Sequence, residues 1–198
     1  MLTKKEIRKA VLAERKALDE ETVELASQVI CRRIMDIDVY EEAENLCLYM
    51  PYRNEVDVML LADVAAEQGK KVWVPKVIKK HEETGGEGVS GKKAGDMEFN
   101  AYEGEDRIET GAYDIRESVS EVFLEPNDKT LIIMPGAVFT PWRDRIGYGG
   151  GFYDKYLSEH PQCKTIGVCF DLQVVDEIPT EEFDMKPDYV VSETSIFR

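Results

Sequence analysis

The sequence has few of the residues on which nucleophilic and zinc-dependent catalysis usually depend. It contains two histidines and four cysteines among 198 residues, and no two cysteines stand in a C-x-x-C spacing. Neither His81 nor His160 flanks a G-x-S-x-G nucleophile motif. The composition therefore argues against Ser-His or Cys-His catalysis and against a zinc cluster. The cysteine spacing favours free thiols in a reducing cytoplasm.

Basic side chains and long apolar runs are also scarce. The 25 Lys and Arg residues face 40 Asp and Glu residues, which gives a formal net charge of −15. Nucleic acid is a poor partner for such a chain, because affinity for the phosphate backbone needs a basic field. No apolar run approaches the roughly 20 residues of a membrane span, and residues 1–6 lack the apolar core of a signal peptide. We therefore expect neither nucleic acid nor a membrane as a partner, and we expect a cytoplasmic protein.

The sequence does contain an alternation of apolar strands and amphipathic helices. The clearest buried strand spans residues 131–134 and is bounded by Pro135 and Gly136. Further strand candidates lie at residues 46–50, 72–74 (ending at Pro75), 97–99, 165–170 and 189–191. This alternation indicates a three-layer, open, mainly parallel sheet with helices on both faces. We expect a single α/β domain over residues 1–198.

Capping signals mark the predicted helices. Thr3 and Glu6 form a capping box at the start of the first helix. Gly69 is the expected terminator of a helix over residues 57–68, and another helix follows the glycines and runs to about residue 159. A second amphipathic helix is predicted to direct five apolar side chains inward, namely Val23, Leu25, Val29, Ile30 and Ile34.

A glycine-rich segment between the strand at 131–134 and the last helix carries the strongest functional signal. It reads Arg145, Ile146, Gly147, Tyr148, Gly149, Gly150, Gly151, Phe152, Tyr153, Asp154. Ligands of open α/β sheets bind beyond the carboxyl ends of strands, and glycines before a helix start let backbone N–H groups approach an anion. Arg145 would supply a charged donor to phosphate and Asp154 a ligand to Mg²⁺. The alternative is a long turn before a helix, with Asp154 serving only the helix dipole.

Charged residues elsewhere leave two interpretations open. Lys4 and Arg8 lie at i, i+4 on the first helix, with Arg15 two turns further on, and this face points away from the core. It fits either an anionic ligand or a solvated helix surface. Glu55 and Asp57 follow the first strand, where Asp57 fits either a ligand or a helix cap.

The segments at 135–139 and 145–157 closely resemble the signature of 5-formyltetrahydrofolate cyclo-ligases, also called methenyltetrahydrofolate synthetases. The resemblance extends to a Lys-x-x-x-Arg motif matched by Lys4 and Arg8, to Glu-Val-Asp at 55–57 and to a late Asp184. It implies a Rossmann-like fold of the type shared with phosphosugar isomerases and CoA transferases. It also implies a monomeric cytosolic enzyme that uses Mg-ATP to convert 5-formyltetrahydrofolate, a reduced folate, into 5,10-methenyltetrahydrofolate, ADP and phosphate.

The same resemblance implies a role for individual residues. ATP would be held by Lys4, Arg8, Arg145, Ile146, Gly147, Tyr148, Gly149, Gly150, Gly151, Phe152 and Tyr153. The folate would be bound by Tyr52, Glu55, Asp57, Tyr148, Gly149, Gly150, Gly151 and Phe152. Asp154 and Asp184 would bind Mg²⁺, and Arg145 and Tyr153 would be catalytic, with Tyr153 between the two ligands.

This chemistry suits a chain without a catalytic histidine. Transfer of the ATP γ-phosphoryl group to the formyl oxygen would activate a poorly electrophilic formamide, and N10 would then close the ring. Phosphoryl transfer depends chiefly on positioning and on neutralising charge.

The chain departs from the usual family pattern at Val58, Ser118, Thr140 and Arg143, positions that bear on the folate more than on the phosphates. Two alternatives use the same scaffold, since a fold does not fix a function. One is an enzyme like the phosphosugar isomerases or CoA transferases, which would leave Lys4 and Arg8 idle. The other is a nucleotide-binding module without turnover.

Overall fold

The computed structural model describes residues 2–78, 96–111 and 116–198. His81 and most of the 79–118 segment, which the sequence leaves open as either a lid or a passive loop, lie outside these ranges. The described helices are α1 (Lys4–Lys16), α2 (Glu20–Met35), α3 (Asp38–Glu42), α4 (Leu60–Glu67) and α5 (Phe152–Glu159). The described strands are β1 (Asn45–Cys47), β2 (Lys71–Val77), β3 (Met97–Ala101), β4 (Ile108–Thr110), β5 (Arg116–Ser118), β6 (Thr130–Met134), β7 (Val138–Phe139), β8 (Arg145–Ile146), β9 (Lys164–Val168), β10 (Tyr189–Val191) and β11 (Ile196–Phe197).

A mainly parallel sheet organises the described part of the chain. Its seven strands run in the order β11-β10-β9-β6-β1-β2-β3. The five inner strands are parallel, while β3 and β11 pair antiparallel at the two edges. Two small antiparallel pairs, β4–β5 and β7–β8, lie outside it. The predicted open α/β sheet is confirmed.

Helices cover both faces of the sheet. Successive residues of a strand point to opposite sides, so the side chains of β6 pack in two different clusters. Leu131 and Ile133 pack in one cluster with residues of α2 and α4. Ile132 and Met134 pack in a second cluster with Tyr156 of α5. All four of these β6 side chains are fully buried, and full burial of such a side chain contributes about 1.5–3 kcal/mol.

The predicted helix ends hold where capping signals set them. The Thr3 side chain accepts a hydrogen bond from the Glu6 amide, and the Glu6 carboxylate accepts one from the Thr3 amide at 2.8 Å. Gly69 follows the end of α4 with φ +77°.

Two other predicted bounds are wrong. The helix predicted to start at residue 57 begins at Leu60, with Met59 and not Asp57 at the N-cap position, and the strand predicted over residues 46–50 ends at Cys47.

The prediction that the second strand stops at Pro75 is wrong by two residues. Pro75 lies opposite Phe99 of β3. The amides of Tyr102 and Ile78 donate to Val72 and Asp96 across this pair of strands. Hydrogen-bonded pairs alternate in an antiparallel ladder, so Pro75 falls in a position that needs no donor, and the strand continues through it.

The predicted inner side of α2 is partly wrong. Ile30 and Ile34 are fully buried, but Leu25 is 56% exposed and Val29 is 40% exposed. The buried stripe follows Ser27, Ile30, Cys31 and Ile34, at the spacing of one helix face. Leu25 falls outside that face.

The β7–β8 hairpin, for which the sequence shows no periodicity, fixes the position of α1. Val11 of α1 packs in one cluster with Ala137, Val138 and Ile146. This contact lays α1 across the carboxyl edge of the sheet. None of the described helices is long and apolar enough to cross a membrane.

Candidate functional site

The glycine loop, residues 147–151, joins β8 to α5 at the carboxyl edge of the sheet. Gly151 immediately precedes α5 with φ +67° and provides no side-chain cap. A Cβ atom added at Gly151 would meet nothing within 4 Å. The Cβ position at Gly151 is therefore open, whereas a Cβ at Gly150 would meet the Phe152 ring at 2.5 Å. The first amide groups of a helix have no partners within it and carry partial positive charge, so the space at Gly151 suits an anion.

The basic face of α1 lies against this loop. Arg8 Nη1 donates to the Gly147 carbonyl at 3.2 Å. Lys4 Nζ donates to Asp184 Oδ2 at 2.6 Å and to Glu181 Oε2 at 2.8 Å. These contacts hold Lys4 and Arg8 against the protein, and the binding of an anion by this face remains a prediction.

Arg145 lies beneath the loop and is 8% exposed. Its Nη2 donates to Asp154 Oδ1 at 2.9 Å, and its Nη1 donates to the Pro135 carbonyl at 3.3 Å. Its Nε is buried and has no hydrogen-bond partner within the described ranges. The guanidinium reaches the loop from the protein side, so its charge acts from below rather than from the solvent side.

The two predicted metal ligands are brought to the same corner of the site. The Met185 amide donates to Asp154 Oδ1 at 3.1 Å, which places the residue after Asp184 against Asp154. Within residues 2–78, 96–111 and 116–198 no group of three or more His, Cys, Asp or Glu side chains forms a metal cage. Mg²⁺ is usually held by one or two carboxylates together with water and phosphate oxygens. Two carboxylates beside the glycine loop therefore fit this ion in type and number.

A polar cluster, in which the Arg15 and Glu55 side chains are buried and Tyr148 is 45% exposed, joins α1, the segment after β1 and the glycine loop. Arg15 Nη1 donates to the Tyr148 hydroxyl at 2.6 Å and lies 3.9 Å from Glu55 Oε1. Arg15 Nη2 donates to the Arg53 carbonyl at 3.2 Å. The Tyr52 amide donates to Glu55 Oε2 at 2.9 Å. Burial raises the pKa of Glu55, while the hydrogen bond with Tyr148 and the Arg15 charge oppose this rise.

The Tyr153 hydroxyl is buried and has no hydrogen-bond partner among the described residues. Burial and the neighbouring Glu55 raise its pKa, so the phenol stays protonated at neutral pH. A buried polar group without a partner costs about 1–3 kcal/mol. The Tyr153 hydroxyl lies at the carboxyl edge of the sheet, where ligands of open α/β proteins bind, and it can donate a hydrogen bond to a ligand or to water.

The remaining predicted folate residues border this cluster. Tyr52 is exposed, and the Arg53 guanidinium lies 4.7 Å from the centre of its ring. Asp57 Oδ1 accepts a hydrogen bond from the Met59 amide at 3.0 Å, near the start of α4. Burial raises the pKa of Asp57. The contacts of Tyr52, Asp57 and Phe152 with a folate remain predictions.

The four departures from the family pattern each have a structural place. Val58 is fully buried in the core. Ser118 Oγ donates to the Ala101 carbonyl at 2.6 Å. The Thr140 side chain accepts a hydrogen bond from the Asp144 amide at 3.1 Å. Arg143 adopts φ +66° and donates to the Asp188 carbonyl at 3.0 Å.

Sequence reasoning misplaced one polar residue that supports the site and missed another. Arg15, predicted to point away from the core together with Lys4 and Arg8, is instead buried. Gln173 Nε2 donates to the Gly136 and Ala137 carbonyls, at 2.9 and 3.0 Å, and so holds the turn before β7. No local pattern marks Gln173.

Comparisons with known proteins identify the family to which the chain is similar. Residues 1–193 match the model of the 5-formyltetrahydrofolate cyclo-ligase family. The chain is 27% identical to a probable 5-formyltetrahydrofolate cyclo-ligase of Schizosaccharomyces pombe, over 100% of this chain and 98% of that protein. It is 25% identical to the 5-formyltetrahydrofolate cyclo-ligase of Escherichia coli K12, over 92% and 96% of the two chains.

Solved structures give the same result for the fold. The structure of an Aquifex aeolicus 5,10-methenyltetrahydrofolate synthetase superposes with a TM-score of 0.80 at 27% identity and covers 100% of this chain and 93% of that chain. A synthetase from Mycoplasma pneumoniae superposes with a TM-score of 0.73 at 22% identity, over 97% and 99% of the two chains. The second likeness supports the fold alone.

Proposed function

The chain belongs to the 5-formyltetrahydrofolate cyclo-ligase family, and we propose that it uses ATP to convert 5-formyltetrahydrofolate into 5,10-methenyltetrahydrofolate, with release of ADP and phosphate. The observation that carries this proposal is the glycine loop, in which a Cβ at Gly151 would meet nothing within 4 Å, while Arg8 lies against Gly149 and Arg145 against Gly147. We interpret the loop as an anion site next to a separate cluster around Glu55. Neither the alternative scaffold enzymes nor a module without turnover is favoured by the comparisons.

The nucleotide phosphates would occupy the glycine loop. The loop amides and the start of α5 would bind the terminal phosphates, and Arg8 would lie at their edge. Lys4 is paired with Asp184 and Glu181. Its ammonium group would exchange part of this pairing for a phosphate oxygen when ATP binds.

Mg²⁺ would be held by Asp154 and Asp184, whose donor type and number fit the ion. When bound, it would neutralise negative charge on the phosphates. Arg145 keeps Asp154 in place through the 2.9 Å hydrogen bond. Its buried charge would also stabilise negative charge above Gly147 during transfer, as preorganised dipoles and cations do in other enzymes.

The reaction would proceed in two displacements. The formyl oxygen attacks the γ-phosphorus, an O–P bond forms, and the bond to the β-phosphate oxygen breaks to release ADP. N10 then attacks the activated carbon, its proton passes to the departing phosphate, and the C–O bond breaks to release that phosphate. Tyr153 would donate a hydrogen bond at the junction of the two ligands, a role supported by its protonated hydroxyl, which is unpaired among the described residues.

The folate would lie on the side of Glu55, with Tyr52, Asp57 and residues 148–152 around it. We also propose a monomer that works in the cytoplasm. The four cysteines are free and buried, as is usual in a reducing compartment.

The test is a direct assay of the purified protein. With Mg²⁺, ATP and 5-formyltetrahydrofolate, we expect methenyl absorbance to rise and ADP to form in equal amounts, and we expect neither product when ATP is omitted. Arg8→Met should raise the KM for ATP about tenfold, as for the loss of one charge-assisted hydrogen bond. Lys9→Met removes an exposed charge from the next position of α1 and should leave this KM unchanged. No methenyl product with any divalent metal would overturn the proposal.

A further inference from the structure

Arg15 belongs to neither the nucleotide set nor the folate set implied by the sequence, yet it contacts residues of both. Its side chain is buried at the carboxyl-terminal end of α1. Its guanidinium donates to Tyr148 of the glycine loop and to the Arg53 carbonyl of the segment after β1. It also lies 5.7 Å from the centre of the Tyr148 ring.

The segment that carries Glu55 is fastened to the same end of α1. Asn54 Nδ2 donates to the Leu18 carbonyl at 2.9 Å, just beyond the helix. Arg53 and Asn54 both adopt positive φ, at 51° and 55°. Two successive residues in this sparsely populated conformation persist only where surrounding contacts hold them. The Arg15 and Asn54 hydrogen bonds are such contacts.

We propose that Arg15 is a positioning residue of the cyclo-ligase reaction, which holds the Glu55 carboxylate and the Tyr148 hydroxyl in register and thereby couples the folate side of the site to the nucleotide side. The inference rests on the proposed function and adds a residue and a role to it.

The chemistry of the side chain supports a positioning role over a purely structural one. A buried ion pair is seldom the most stable choice, because desolvation offsets its attraction. An apolar residue at this position of α1 would pack without that penalty. The planar guanidinium, in contrast, donates in fixed directions from different nitrogens, and Arg15 uses Nη1 for Tyr148 and Nη2 for Arg53. A lysine could also donate to two acceptors, but from one nitrogen on a flexible stem, so it would not hold the two acceptors at the fixed separation that the planar guanidinium sets.

The ionisation of Glu55 offers a readout that packing alone would not move. The groups facing its carboxyl are Arg15 from α1, Tyr49 after β1, Tyr148 of the loop and Tyr153 of α5. Among these, Arg15 is the cation. Its charge favours the ionised carboxyl against the effect of burial. Loss of the Arg15 charge therefore raises the pKa of Glu55. If the reaction needs the ionised Glu55 carboxylate, the acidic limb of the pH profile of kcat/KM moves to higher pH.

The experiment compares Arg15→Met and Arg15→Lys with Lys16→Met, which removes an exposed charge from the adjacent position of α1. For Arg15→Met we expect kcat/KM for the folate to fall about 100-fold, as for a small misplacement of reacting groups. We expect its acidic limb to move up by about one pH unit or more, as for the loss of an opposite charge at this distance. Arg15→Lys should restore the limb but not kcat/KM. Lys16→Met should behave as the wild type in both measurements.

Calorimetry measures the coupling itself. In the wild type, a non-hydrolysable ATP analogue should tighten folate binding, and in Arg15→Met it should not. The inference would be overturned if the wild type turns over and the Arg15 variants keep both the acidic limb of the pH profile and the effect of the ATP analogue on folate binding. The proposed function would then still stand. A wild-type protein without turnover would instead overturn the proposed function, and the inference with it. Arg15→Lys keeps the charge buried and guards against a simple folding defect in Arg15→Met.

Discussion

The interior of the sheet and its carboxyl edge bury opposite kinds of side chain. At the centre, the side chains of β6 from Leu131 to Met134 are apolar and fully buried. At the edge, the structure buries two guanidinium groups, Arg15 and Arg145, together with the Glu55 carboxyl. The first kind of burial stabilises the fold by about 25 cal/mol per Å² of apolar surface. The second kind contributes little net stability, because each charge loses its hydration.

This contrast in burial indicates that stability is determined mainly in the interior of the sheet and activity mainly at its carboxyl edge. The edge charges are paired with one another, Arg145 with Asp154 and Arg15 with Glu55. Pairing limits the cost of burial without turning it into a large gain. Substitutions in the interior should therefore change stability, and substitutions at the edge should change catalysis. The three predictions below test this separation.

The largest effect is expected in the interior. Leu131→Ala should lower the free energy of unfolding by about 2–5 kcal/mol, because it leaves a cavity in a fully packed cluster. The KM values of the protein that remains folded should not change. Urea unfolding and steady-state kinetics below the transition measure the two quantities. Leu25→Ala, at an exposed position of α2, is the control and should change the unfolding free energy by less than about 0.5 kcal/mol. Altered KM values in Leu131→Ala would show that the two regions are not separable.

At the edge, Asp154→Asn should reverse this pattern. The amide oxygen still accepts hydrogen bonds from Arg145 and Met185, so the unfolding free energy should change by only about 1–2 kcal/mol. Turnover should fall about 100-fold, a barrier increase of about 2.7 kcal/mol, because the negative charge proposed to hold Mg²⁺ is lost. The variant should also need more Mg²⁺ for half-maximal activity.

The matched control for Asp154→Asn is Glu44→Gln. Glu44 pairs with Lys129 at the opposite, amino-terminal edge of the sheet. Both substitutions remove one paired carboxylate and keep its shape. Equal turnover and equal Mg²⁺ dependence in the two variants would contradict the proposed metal site.

Local signals made much of the fold and part of the site predictable. The capping box of Thr3 and Glu6, the strand at 131–134 and the terminator Gly69 depend on residues a few positions apart. The glycine loop is likewise a continuous stretch whose place follows from the strand before it and the helix after it. Resemblance to a known family then supplied roles that spacing alone leaves open.

Other features depend on contacts between distant parts of the chain. Lys4 meets Asp184 across 180 positions, and Arg15 is buried only because the segment after β1 and the glycine loop both fold over it. The apolar character of Leu25 predicts that it points inward, but the buried face of α2 is set by the elements that pack against the helix. A periodic pattern specifies a face only approximately, and tertiary packing decides its boundaries.

The smallest effect, and the closest comparison, involves two glycines of similar geometry. Gly151 has φ +67°, Gly69 has φ +77°, and at neither position would a Cβ meet an atom within 4 Å. Alanine at either site should lower the unfolding free energy by about 1 kcal/mol, the usual cost of the left-handed conformation. At Gly151 alone, the methyl group would occupy the space proposed for the terminal phosphates, so the KM for ATP should rise about tenfold, or about 1.4 kcal/mol. If both variants keep the wild-type KM while losing the same stability, the space before α5 is not where the nucleotide binds.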